Sequence, residues 1–134
     1  MTTYTTTIAR PKLQTQVLKW FDSEQYTMEN VTVVPQAAAL QLGTVMGVIT
    51  ASGKWTPVNV GASDGSQTAA GILLEALPVS ATDALNVPMI VREAVVQADG
   101  LVWPAGATAP QIAAATAQLY NGGNGITHGI VVRT

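Results

Sequence analysis

Thr44-Val45-Met46-Gly47-Val48-Ile49-Thr50-Ala51-Ser52-Gly53-Lys54-Trp55-Thr56-Pro57-Val58-Asn59-Val60 decides the fold class. Thr44–Thr50 is apolar and β-branched, Ala51-Ser52-Gly53 interrupts it, and Lys54–Val60 resumes with Trp55, Val58 and Val60. Two such runs joined by a short Gly-containing loop predict a hairpin. Downstream, Gly61–Ser66 reads as a second loop with an Asp64-Gly65 turn pair. Ala70–Leu77 and Val87–Val96 are further apolar runs, separated by Pro78 and by Ala81–Asn86. Apolarity alone fits a strand or a buried helix, but β-branched content and flanking Pro and Gly favour strand at Val87–Val96. Ala105–Tyr120 predicts the one helix. Thr108 or Ala109 can cap it, Pro110 suits its first turn, and Ile112, Thr116 and Leu119 share a face. Asn121-Gly122-Gly123 stops it, and Gly129–Arg133 reads as a closing strand. Gly47, Gly71 and Gly129 each open an aliphatic run, which predicts a bulge or a close backbone approach at each.

With 134 residues the chain makes one domain of ordinary size, large enough for a real core without staples. Only 10% of its residues are charged, against about 25% in ordinary soluble domains. Much of its surface is therefore neutral and polar, or is covered by other subunits. No cysteine excludes disulfides, thiolate metal sites and cysteine nucleophiles, and a single histidine, His128, excludes multi-histidine metal sites. A net charge of −2 without a basic cluster argues against nucleic acid and anionic membrane as partners. No apolar stretch is long enough to span a bilayer, and the polar start Met1–Thr7 is not a secretory signal. The expected place of synthesis is a cytosol.

The charges are unevenly spread. Arg10, Lys12, Lys19, Asp22, Glu24 and Glu29 crowd the first 29 residues, while between Ala94 and Val132 only Asp99 is charged. This shift predicts a boundary at Val34-Pro35, with an extended arm over 1–34 and a compact β-rich domain over 35–134.

Catalytic constellations are weak. Gly61-Ala62-Ser63-Asp64-Gly65 fits the G-x-S-x-G nucleophile elbow, with Asp83 or Asp99 and then His128 following in hydrolase order. That chemistry needs a large, doubly covered sheet, which this chain cannot build, so a surface turn at Ser63 is the stronger expectation. Asp22, Glu24 and Glu29 read as solvated charges, and His128 reads as a loop histidine. Asn124-Gly125 lacks the Lys-Ser/Thr of a phosphate loop. Trp55 and Trp103 lie in apolar contexts and are expected in the core or at a subunit interface. No catalytic residue, metal or cofactor is expected.

Five pieces in order resemble the lambda-like phage head decoration proteins. They are Leu42–Val48, Lys54–Pro57, Asp64–Leu73, Val91–Val96 running on to Leu101-Val102-Trp103-Pro104-Ala105-Gly106, and the Ala-rich helix ending in Gly129–Arg133. The likeness covers roughly residues 35–134, and Asn121–His128 departs from it as a small insertion. The resemblance implies a mainly β fold, a small barrel of the β-clip or β-tulip kind, with one short C-terminal α-helix and an extended N-terminal arm. It implies a non-enzymatic cementing protein: a homotrimer at three-fold sites of a mature head, on the outer capsid surface of the virion, stabilising the shell against DNA pressure. Its partner would be the major capsid protein of a tailed phage. An arm of this kind would pair its backbone with that protein, with Tyr4, Thr6 and Ile8 on one face of an extended segment and Leu13, Trp20 and Phe21 as further anchors. A phage tail or baseplate subunit is the alternative, and a small hydrolase using Ser63 is a more distant one.

Overall fold

The computed structural model describes residues 14–122 and 128–134. Five strands close into a barrel: β2 (Met28–Val33), β3 (Val45–Val48), β4 (Trp55–Pro57), β5 (Gly71–Leu73) and β6 (Ala84–Ile90), in the order β2-β4-β3-β5-β6. The expected hairpin is β3–β4, antiparallel with Met46 opposite Pro57 and Val48 opposite Trp55. Closure rests on a long antiparallel β2–β6 pairing and a single parallel pair, Val33 opposite Trp55. A second sheet stands beside the barrel, in the order β1-β7-β8. It comprises β1 (Leu18–Phe21), β7 (Arg92–Gln97) and β8 (His128–Arg133), β1 antiparallel and β8 parallel to β7.

Helix α3 (Ala109–Asn121) starts four residues later than predicted, at the cap that the sequence offered. Thr108 Oγ1 accepts from the Gln111 amide and Gln111 Oε1 accepts from the Thr108 amide, a reciprocal pair that satisfies two orphan donors. Leu119 is fully buried under the helix, and Gln118 Oε1 accepts from the Ala69 amide at 2.8 Å, tying α3 to the barrel. Two four-residue helical turns, α1 (Gln14–Val17) and α2 (Glu24–Thr27), complete the fold. One core cluster fills the barrel around Val33, Met46, Trp55, Leu73 and Met89. The other lies between barrel, α3 and the small sheet, around Val17, Ile72, Ile90, Val96, Leu119 and Ile130.

Glycines sit where backbones touch. A Cβ on Gly71 would lie 2.6 Å from the Ile90 carbonyl and 2.9 Å from the Trp55 ring, and one on Gly47 would lie 2.6 Å from the Ser66 carbonyl. Gly129 has a φ of 72°, and the Glu93 carboxylate covers the place of its missing Cβ.

Two expectations need correction. Residues 14–34 are not an arm. Val17 and Val33 are fully buried, β1 pairs with β7, and β2 is a stave of the barrel, so the boundary at Val34-Pro35 falls after an essential strand. The local charge misled because the Glu29 side chain reaches Arg92, at 2.6 Å, while its backbone pairs with β6 opposite Met89. Secondly, Val87–Val96 is not one strand. The chain breaks at buried Val91, whose amide donates to the Thr27 carbonyl, and Glu93 adopts a φ of 41°. That break moves the chain from barrel to sheet. The apolar run Ala70–Leu77, which apolarity alone left open between strand and buried helix, contains the three-residue β5.

Candidate functional site

The would-be hydrolase residues are dispersed. Ser63 is an exposed turn residue, and neighbouring Asp64 serves the turn: its Oδ1 accepts from the Ser66 hydroxyl at 2.5 Å and the Ser66 amide at 3.0 Å. Those bonds hold the Asp64 carboxyl below the usual carboxylate range. Asp83 pairs with Lys54 at 2.7 Å. His128 faces Glu93 at 3.0 Å and the Tyr26 hydroxyl at 3.4 Å. Asp99 lies in the short turn Ala98–Gly100, and Asp83 and His128 are engaged with Lys54 and with Glu93 and Tyr26, so neither of these two is bound to Ser63. No group of three or more His, Asp and Glu side chains there could hold a metal, and no helix there is long and apolar enough to cross a membrane.

Of the expected partner-binding residues, Tyr4, Thr6, Ile8 and Leu13 lie outside the described residues, as does most of the Asn121–His128 insertion. Trp20 and Phe21 are described, and they sit on β1 rather than on a free arm. A one-residue bulge at Lys19 sets their register: Leu18 opposes Val96, Trp20 opposes Val95, and Phe21 opposes Ala94. Opposed residues share a sheet face. Leu18 and Phe21 thus follow Val96 and Ala94 to the inner face, and Trp20 stands on the outer face, 54% exposed. Between β1 and the barrel runs a groove of about 590 Å³, walled by Leu18, Trp20, Phe21, Met28, Leu74 and Pro88. Gln14 anchors its entrance, donating from Nε2 to the Leu74 carbonyl at 3.0 Å.

Trp55 is buried in the barrel core. Trp103 is half-buried against the other core and walls a small cleft of about 190 Å³ with Leu40, Val45, Pro57 and Pro104.

Two groupings escaped sequence reasoning. On the outer sheet face, Val95 lies beside Trp20 and opposite Val131 of β8, making one lateral apolar row. At the end of the sheet, Arg92 binds Glu29, donates from Nε to the Tyr26 carbonyl at 2.9 Å and lies 5.3 Å above the Tyr26 ring. With His128 and Glu93 these residues lock α2, β2, β7 and β8 together. Either grouping was visible only as scattered residues, up to 111 positions apart in the first, because strand pairing alone brings them together.

No curated protein and no solved structure matches the chain. The family model for bacteriophage lambda head decoration protein D matches residues 7–123, nearly the whole described fold and part of the segment before it. The chain belongs to that family, whose members are structural proteins of the phage capsid and not enzymes.

Proposed function

We propose that the protein assembles as a homotrimer at the three-fold positions of a mature phage head and cements the shell against the pressure of packaged DNA. The observation that carries this is the family match over residues 7–123. Composition supports it: a surface with so few charges suits burial against sister subunits and a shell. On this reading the major capsid protein is contacted by the segment bearing Tyr4, Thr6, Ile8 and Leu13 and by the β1 aromatics Trp20 and Phe21. Trp103, beside its small cleft, is the subunit-interface candidate, whereas Trp55 serves the barrel core.

Mixing purified protein with empty, expanded heads and weighing the product tests the proposal. Saturation at a full trimer on every three-fold position, and slower DNA release on heating of filled heads, are expected. Saturation at the five-fold vertices or at the tail alone would overturn it in favour of a tail or baseplate role.

A further inference from the structure

On the reading that the protein binds a phage head, we infer that the outer face of the β1-β7-β8 sheet, along the row Trp20–Val95–Val131, is a preformed docking surface for the capsid protein. Alternation fixes the two faces of this sheet. Ala94, Val96 and Ile130 point inward and are buried in the core, so Val95 and Val131 point outward, and the pairing of Trp20 with Val95 extends the row to β1. None of the three belongs to either core cluster. Val131 is 42% exposed at the centre of β8. Polar groups bracket the row: Glu93, held over Gly129 and against His128, on one side, and Gln97 opposite Arg133 on the other.

Two observations choose the occupant. The first is area. Three side chains on strands about 4.8 Å apart offer roughly 200–300 Å², whereas a stable two-body interface needs about 800 Å² from each partner. The row alone is too small to hold any partner, so its occupant must be held by a further contact beside it. The second is where the chain outside the described structure ends. Residues 1–13 join the described chain at Gln14, four residues before β1, so on the proposed reading, in which they contact the capsid protein, the β1 face lies next to that contact. The matching capsid surface is an apolar, weakly charged patch beside the landing place of that segment.

Titration of full-length protein onto empty expanded heads, with thermal melting of each free variant, tests the inference. Val131→Lys is expected to raise the head Kd ten-fold or more while the melting temperature holds. Trp20→Ser, at a more exposed position, is expected to do the same and serves if the first variant folds poorly. Leu85→Lys, at a 69% exposed residue of β6 outside the row, is expected to stay within two-fold of wild type. Wild-type binding to heads by both row variants would overturn the inference and leave the decoration reading intact. Loss of self-association with head affinity unchanged would overturn it in favour of a second copy. Failure of the wild-type protein to bind heads would overturn the decoration reading itself, and this inference with it.

Discussion

Removing residues 1–34 is expected to unfold the protein, whereas removing residues 1–13 is expected to leave it folded. The longer deletion takes away Val17 and Val33, both fully buried, with partly buried Leu18, Met28 and Val31. Burial of each valine contributes about 1.5–3 kcal/mol, so the two alone account for roughly 3–6 kcal/mol. Total stability of an ordinary domain is only about 5–15 kcal/mol. The same cut strips β2 from the barrel, leaving β6 without its longest pairing partner and β4 without its closing pair at Val33. It also removes Thr27, whose carbonyl accepts from the Val91 amide and whose hydroxyl donates to the Glu93 carbonyl, the bonds that hold the chain at its crossing from barrel to sheet. The shorter cut keeps all of these. Circular dichroism and thermal melting of the two truncations decide the matter. A cooperative melt of the 35–134 fragment within about 5 °C of full length would refute the reasoning, since a loss of this size should shift a midpoint much further.

Gly71→Ala is expected to destabilise by about 1–3 kcal/mol in denaturant melts, because the new methyl would strike the Ile90 carbonyl and the Trp55 ring inside the barrel. Ser63→Ala is expected to stay within about 0.5 kcal/mol of wild type, and a serine-directed phosphonate is expected to leave Ser63 unlabelled. Asp64→Asn is expected to flatten the acid limb of the stability curve. The native Asp64 carboxyl titrates below its ordinary value of 3.8 because the Ser66 hydroxyl and amide bind its charged form. Its contribution is therefore present above 3.8 and lost as pH falls through the lower native value, so wild type and variant should converge in stability at strongly acid pH.

Local chemistry made part of this fold readable. The β3–β4 hairpin announces itself through a Gly-containing loop between β-branched runs, and α3 through a cap, an early proline and a terminal glycine, all within a few residues of one another. Strand β2 was not readable, because Met28-Glu29-Asn30-Val31-Thr32-Val33 carries a charge and two further polar residues in six. Its place in the barrel depends on β6, more than fifty residues on, and Glu29 is balanced by Arg92, 63 positions away. The break at Val91 hid for the same reason. The unusual backbone of Glu93 is held by bonds from the Asp22 amide and the Thr27 hydroxyl to its carbonyl, and nothing adjacent to Glu93 signals them. Trp20 and Phe21 stood out as aromatics in a polar segment. That Trp20 pairs with Val95 and Phe21 with Ala94, while both border the groove, depends on the bulge at Lys19.

On the proposed reading, the placement of those aromatics bears on how the protein can hold a shell. An extended segment that orders on binding loses about 1–2 kcal/mol per residue in backbone entropy, and each backbone hydrogen bond it gains returns a net of only about 0.5–1.5 kcal/mol. Strand addition by such a segment therefore comes close to cancelling itself, and side-chain anchors must supply the surplus. Anchors on the segment would be ordered at the same cost as the rest of it. Anchors on β1 are not, because β1 is already paired with β7 and backed by the core before any shell is met. On the proposed reading, the preformed row and a contact made by residues 1–13 would act as two linked contacts. Whichever lands first raises the effective concentration of the other into the mM range, so affinity grows without a large interface at either. On this account the apolar row has a direct use, since Trp20, Val95 and Val131 carry no ion to desolvate when they meet the capsid.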